Sequence, residues 1–255
     1  MDDKIFIDFK YLSSRVYTGT IYKYRSTNQY TFDILNNSQL YFAHPDEFND
    51  PFDCNLPLFY QYKKRELIRY FEQYNYDQDI ISDLKNLTAS ELKNFLDWHK
   101  NSDTALKDKI RISCFSKKPN IIPMWAYYSN SFSGICLGFD PKKDPGLFLS
   151  LEVEYPEMND LPLVDFFRDR NSLIKYYFTK SNHWKHEEEI RVINIQNPTK
   201  NLLPFNHQSL VEIILGERIS KEDEKKIRQA SKKYDLKIKR AVKSQTKFEL
   251  EIIED

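Results

Sequence analysis

The densest gathering of reactive side chains is His183-Trp184-Lys185-His186-Glu187-Glu188-Glu189-Ile190-Arg191. The apolar run after Glu189 reads as a strand. Alternation then sets Glu187, Glu189 and Arg191 on one face, with Glu188 and Ile190 on the other. Carboxylates beside an arginine tune one another's ionisation, or orient one catalytic acid. A carboxylate held this way can bond sugar hydroxyls and stabilise an oxocarbenium ion. The competing reading is a salt-bridge ladder on a half-exposed strand.

Three further segments carry polar or aromatic groups in suggestive patterns. In Tyr22-Lys23-Tyr24-Arg25-Ser26, alternation puts Lys23 and Arg25 on one face and Tyr22 and Tyr24 on the other. The two cations could hold an anionic ligand, with arginine supplying a planar fork for phosphate. The plainer alternative is a charged edge strand. His44-Pro45-Asp46-Glu47-Phe48-Asn49-Asp50-Pro51-Phe52-Asp53 is a turn by chemistry, since Asn and Asp bond their own backbone. Its acids suit a hard cation, but the spacing fits no established metal loop, and a turn ordering a pocket wall is the simpler expectation. The last group is Cys114-Phe115-Ser116, Pro123-Met124-Trp125-Ala126-Tyr127-Tyr128 and Gly134-Ile135-Cys136-Leu137-Gly138-Phe139-Asp140. Glycine in its final strand permits close approach of a ligand or another backbone. Trp125 and the tyrosines can sandwich a planar ring or pack as core.

Other chemistries fail on the same residues. His183 and His186 lie three apart, as two helical metal ligands can, yet no Cys or acid supplies a matching second half. No small-residue nucleophile elbow exists for Ser-His-Asp hydrolysis. With only 5 Gly there is no phosphate-cradling loop. Lys plus Arg and Asp plus Glu each number 38, so no general footprint for nucleic acid or an anionic membrane is expected, although a local basic groove is compatible with that balance. The basic stretch Lys232 to Lys247 reads as a helix end and an edge strand. Cys54, Cys114 and Cys136 form no close pair, which points to a reducing compartment. Met1-Asp2-Asp3-Lys4 opens no secretory signal and no apolar run reaches membrane-spanning length, so a cytoplasmic protein without a membrane partner is expected.

These segments need elements to position them. Strands are expected at Ile21–Tyr24, Gln39–Ala43, Ile110–Phe115, Gly134–Phe139, Leu149–Tyr155, Glu189–Ile195, Leu210–Leu215, Leu236–Val242 and Phe248–Ile253. Helices are expected at Tyr30–Asn36, through a block at 60–109 with Ser90 as an N-cap, and from Ser220 with Asp223 to about Tyr234. Helices gathered between strand-rich halves predict an α+β fold with a mixed or antiparallel sheet. One domain, 1–255, is expected, with residues 60–109 as a helical insertion or lid.

Taken in order, Ile21 to Arg25, Leu40-Tyr41-Phe42 through Phe52, Cys114-Phe115-Ser116, Met124-Trp125 with Tyr128, Gly134-Ile135-Cys136, and Trp184 through Arg191 resemble the bacterial domain-of-unknown-function family numbered 2971. The likeness runs from about residue 20 to residue 220. That family's pattern in turn resembles ADP-ribosyltransferase toxins of the diphtheria-toxin-like and DNA-modifying kind. The resemblance implies a split sheet, NAD as substrate, no metal, and transfer of ADP-ribose to a protein or nucleic acid in a toxin, antitoxin or phage-defence setting. It implies that Tyr22, Lys23, Tyr24 and Arg25 hold NAD, with Ser116 or Tyr128 at a second station, Trp125 as a stacking aromatic, and Glu187 or Glu189 as the catalytic carboxylate. Two departures stand out: Lys23 replaces the usual first-station His, and Phe132 replaces a His that relatives carry before Gly134. Two other functions fit the residues, a non-catalytic nucleotide- or protein-binding module and a metal-dependent nuclease using Asp50, Asp53 and the glutamates.

Overall fold

The computed structural model describes residues 9–157, 160–165, 167–169, 171–194, 200–234 and 236–255. Its frame is one mixed, mostly antiparallel open sheet built from β1 (Ile21–Arg25), β3 (Arg111–Ser116), β4 (Ile135–Phe139), β5 (Ser150–Glu152), β6 (Glu189–Asn194), β8 (Leu210–Leu215), β9 (Lys237–Lys243) and β10 (Leu250–Glu254). The strands lie in the order β10-β9-β8-β4-β1-β3-β6-β5. A two-stranded ladder of β2 (Gln39–Tyr41) and β7 (Leu202–Pro204) stands apart. Every neighbouring pair in the large sheet is antiparallel except β8 with β9. That parallel pair needs a crossover, which α8 (Lys221–Ala230) provides, opened by Ser220 accepting from the Asp223 N–H as the sequence suggests.

Both sheet faces are covered near the centre, so β4, Ile135-Cys136-Leu137-Gly138-Phe139, is buried throughout. A continuous apolar run is what such a position demands. On one face Ile34 and Leu35 of α2 (Gln29–Asn37) and Ile227 of α8 pack with Ile21, Phe115, Leu137 and Ile190. On the other, Met124 and Trp125 of α6 (Ile122–Tyr128) pack with Tyr24, Cys136 and Ile214. The helical block resolves into α3 (Lys64–Gln73), α4 (Gln78–Asn86) and α5 (Ala89–Leu106) around a small core of its own, with Leu67, Phe71, Ile81, Leu84, Leu96 and Phe167. Its third helix starts ahead of the expected cap: Thr88 is the N-cap, because Glu91 sits where it can return the bond to Thr88. The short helices α1 (Phe9–Ser14) and α7 (Ser172–Phe178) are not among the expected elements, and the last residue of the expected Glu189–Ile195 strand lies outside the described residues.

The sheet parts between β1 and β3. They are in register only at Tyr22 and Ser116, while β1 follows β4 along its whole length. The cause is a wedge. Beyond β2, Ala43 exchanges two backbone hydrogen bonds with Ile112 (2.8 and 2.9 Å) and so takes the edge of β3 that β1 would have paired. The Lys23 ammonium reaches across the gap instead, donating to Cys114 O (3.0 Å) and Ser113 Oγ (2.9 Å). A side-chain donor thus satisfies a strand carbonyl that the ladder leaves open.

Candidate functional site

At the β3 end of the parting, five ionisable side chains meet inside the protein. Arg191 on β6 is fully buried; its Nη2 lies 2.6 Å from Asp53 Oδ2 and its Nε 2.8 Å from Glu189 Oε1. Its Nη1 donates to Tyr177 O at 2.6 Å. The Lys180 ammonium lies 2.5 Å from Glu187 Oε2, 2.9 Å from Glu189 Oε2 and 3.7 Å from Asp53 Oδ2. Phe48 sits under the guanidinium and Trp184 under the ammonium, at 5.3 and 5.2 Å. Two cations therefore serve three carboxylates, leaving one formal negative charge in excess.

Local chemistry delivers each member. Asp50 accepts from Phe52 N–H (3.0 Å), making the turn that directs Asp53 inward, and Cys54 adopts the left-handed conformation at φ 49°. Lys180 follows the apolar α7, where its N–H donates to Glu154 O. Glu187 ends a 3-10 turn, Asn182–Glu187, and Glu188 is left-handed at φ 45° before β6 begins. That kink is clamped from β3: Ser116 Oγ donates to Glu187 O (2.7 Å), and Lys117 N–H to Glu188 O (3.0 Å). Glu187 thus joins Glu189 through a kink rather than through the strand alternation expected of it.

The two glutamates differ in surroundings. Among the described residues Glu189 forms ion pairs with Arg191 and Lys180. Burial disfavours its anion, but Arg191 and then Lys180 outweigh that and hold the carboxyl down to about 2. Burial works against the Lys180 cation too, and Glu189 with Glu187 more than restores it, so its pKa lies above that of an ordinary lysine. Asp53 goes the other way: burial raises its pKa despite Arg191, and Glu189 adds to the rise. Glu187 Oε1, by contrast, accepts from the phenol of half-buried Tyr128 at 2.7 Å. Burial, then the Glu187 charge, push that phenol upward, so Tyr128 stays a proton donor. Asn49 Nδ2, at the surface, lies 3.5 Å from the same phenol oxygen.

Of the residues singled out in sequence, Glu187, Glu189, Arg191, Asp53, Ser116 and Tyr128 come together. Tyr22, Lys23, Tyr24, Arg25 and Trp125 do not join them. Register pairs Tyr22 with Ser116 and Ser116 with Glu189, so these three share a face, whereas Lys23 lies over Phe115 on the opposite one. The structure thus separates Lys23, and by alternation Arg25, from the glutamates. Burial, with Arg25 beside it, pulls the Lys23 ammonium down to about 8. Arg25 has a buried Nε without a hydrogen-bond partner, and desolvation lowers its pKa. Tyr24 and Trp125 are core: the Tyr24 hydroxyl donates to Lys118 O, and the fully buried indole of Trp125 donates to Pro119 O, both at 2.7 Å. Trp125 therefore has no open ring face for a ligand. Tyr22 donates to Glu212 at 2.9 Å.

Lys180 is the member that sequence reasoning missed. Its signal was a lysine at the end of the apolar run Leu173 to Phe178, a place where a charge must find partners. For the nuclease reading the finding is unfavourable, because Asp53, Glu187 and Glu189 already face cations. Among the described residues no group of three or more His, Cys, Asp or Glu side chains is set to hold a metal ion. Nor is any helix there long and apolar enough to cross a membrane.

The Glu189 shift has a measurable consequence. A carboxyl depressed in the fold stabilises it above its unfolded pKa, and that stability drains away as pH falls through the folded value. Between about pH 5 and about pH 2, Glu189 alone should remove about 2–3 kcal/mol. Asp53, shifted upward, works in the opposite sense and blunts the loss. Urea midpoints measured down this range should fall steeply for the wild type and more gently for Glu189→Gln. Parallel curves would contradict the assignment.

Among known proteins, no family model, no curated protein and no solved structure matches the chain.

Proposed function

We propose that the chain is an ADP-ribosyltransferase-like enzyme of the family numbered 2971, cleaving NAD and passing ADP-ribose to a macromolecular acceptor. The observation that carries the reading is Glu187. Its carboxyl accepts from the phenol of half-buried Tyr128, a contact that Asp53 and Glu189 do not make, in a cluster with one formal negative charge in excess. As the bond from ribose C1′ to nicotinamide lengthens, its electron pair passes to the pyridinium nitrogen and positive charge moves onto the ribose. A carboxylate already fixed by Lys180 and Tyr128 needs no reorganisation to stabilise that charge, which is where such groups gain most. The acceptor's nucleophile then bonds to C1′ and releases its proton. The parting of the sheet beside Glu187 is in keeping with the split-sheet architecture that the resemblance implies.

In this reading Ser116 and Tyr128 position Glu187, and Glu189 with Arg191 and Asp53 hold the floor of the site. Lys23 and Arg25, on the opposite face, are left out of the NAD contact first expected of them. One observation favours a non-catalytic binding module instead: both Glu187 oxygens are engaged and its side chain is 4% exposed. Incubating the wild-type chain with NAD separates the two. Release of nicotinamide supports the enzyme. A chain that neither binds NAD nor releases nicotinamide has a structural cluster and is a binding module.

A further inference from the structure

A second candidate site lies beyond the other end of α6, from a different set of residues. A groove of about 540 Å³ opens between the tip of the β9–β10 hairpin and the loop that follows α6, and its walls include Ile122, Phe132, Arg218, Lys243, Lys247 and Phe248. That volume is in the usual range for ligand sites. Three features of its walls point the same way.

The first is an ordered column of flat groups. Phe132 lies parallel to Trp125, with ring centroids 6.5 Å apart, and the exposed Arg218 guanidinium lies 5.7 Å from the Phe132 ring. The column thus runs from the core to a planar cation at the surface. The second is the backbone that presents it. Asn130, Ser131 and Phe132 are successively left-handed, at φ 48°, 53° and 70°. Such conformations are unfavourable for side-chain-bearing residues and persist only where the surroundings over-determine them. Here Phe132 N–H donates to Trp125 O and Arg218 N–H to Phe132 O, while a Cβ on Gly216 would lie 2.2 Å from Phe132 O. The loop is built to hold that ring. The third is the opposite wall. Phe248 is fully exposed at the hairpin tip, and Lys243 beside it makes no ion pair among the described residues, whereas Lys239, Arg240 and Lys247 all face carboxylates. Arg218 likewise has its aromatic contact and no ion pair among the described residues.

Exposed phenyl and guanidinium faces beside two cations without ion pairs among the described residues, Arg218 and Lys243, match the bases and phosphates of a single strand. Glu217 and Glu249 on the same lining confine the phosphate contact to those two cations. A duplex offers its phosphates but hides its base faces. An acidic peptide offers charge and, at best, an isolated ring for Phe248, whereas a single strand repeats a flat face and an anion at every unit. We infer that this groove binds a short stretch of single-stranded nucleic acid, with bases stacking on Arg218 and Phe248 and backbone phosphate beside Lys243. The neutral whole-chain charge does not oppose this, because a footprint of a few nucleotides needs only the local cations. The inference stands on the groove alone and is independent of the NAD reading. If both hold, the strand lies one short helix from Glu187: Ile122 lines the groove and Tyr128 touches Glu187, about 9 Å apart at 1.5 Å per residue.

Fluorescence anisotropy with labelled oligothymidine and oligouridine tests it on the full chain without NAD. Wild type should bind at least one single strand below about 100 μM, more weakly as salt rises, and bind the matching duplex less. Phe248→Ala should weaken binding at least about fivefold through the loss of one stacked base. Arg218→Glu with Lys243→Glu should weaken it at least about tenfold. These residues are exposed, so folding is little affected, and Lys225→Glu on the solvated face of α8 serves as the control and should bind as wild type does. The inference is overturned by absence of binding, by equal binding of duplex, by equal loss in the Lys225→Glu control, or by displacement of the strand by a short acidic peptide, which would assign the groove to a protein partner.

Discussion

Arg191→Met is expected to lower the free energy of unfolding by about 3–5 kcal/mol, the largest loss from any single change at the cluster. The guanidinium spans Asp53, Glu189 and the Tyr177 carbonyl from a fully buried position. Without it, three buried carboxylates share the Lys180 ammonium alone. Methionine fills much of the volume and supplies no donor, so the acids must take up protons or admit water. The loss measures a charge left unpaired rather than the worth of the ion pairs, since a buried cluster replaced as a whole can be nearly neutral. Arg191→Lys should recover only part of the stability, because one ammonium cannot span the same three acceptors. Urea denaturation followed by far-ultraviolet circular dichroism reads both variants. An unchanged midpoint in Arg191→Met would mean that desolvation already cancels everything the guanidinium contributes.

Much of the frame could be read from local pattern. The apolar run from Ile135 to Phe139 announces a strand covered on both faces, and Ser220 with Asp223 announces the helix that crosses from β8 to β9. Alternation also sorted Lys23 and Arg25 away from Tyr22 and Tyr24. What it could not show is which way that strand faces relative to Glu189, because this depends on pairing between β1, β3 and β6. The parting of the sheet was hidden for the same reason. It comes from Ala43 taking the edge of Ile112, a contact between distant segments that neither sequence stretch encodes alone. The cluster divides along this line. Glu187, Glu189 and Arg191 are close in sequence and stood out together, whereas Asp53 meets Arg191 across 138 residues and looked like an ordinary turn acid. Lys180 was harder still, since a lone lysine after an apolar helix becomes meaningful only once three carboxylates surround its ammonium. Trp125 misled for a physical reason: an indole satisfied by one carbonyl, Pro119 O, packs as fully as any aliphatic side chain.

The two glutamates should separate when activity and stability are measured on the same variants. Glu187→Gln is expected to reduce nicotinamide release at least about 100-fold, the scale on which loss of a fixed transition-state charge partner is felt. Its midpoint of unfolding should stay near that of the wild type. Glutamine keeps an acceptor for the Tyr128 phenol, and Lys180 retains Glu189 at 2.9 Å. Glu189→Gln should do the reverse. It takes one carboxylate from both Arg191 and Lys180, so stability should fall by about 2–4 kcal/mol, while release per folded molecule changes little. Tyr128→Phe provides the intermediate case, because it loosens Glu187 without removing its charge; release should drop about tenfold while the fold persists. Equal loss of release in both Gln variants, with both folds intact, would deny Glu187 a separate role and make the cluster act as one unit. Loss of stability in Glu187→Gln with release intact would reverse the assignment, moving the chemistry from the kink at Glu187 to the strand at Glu189.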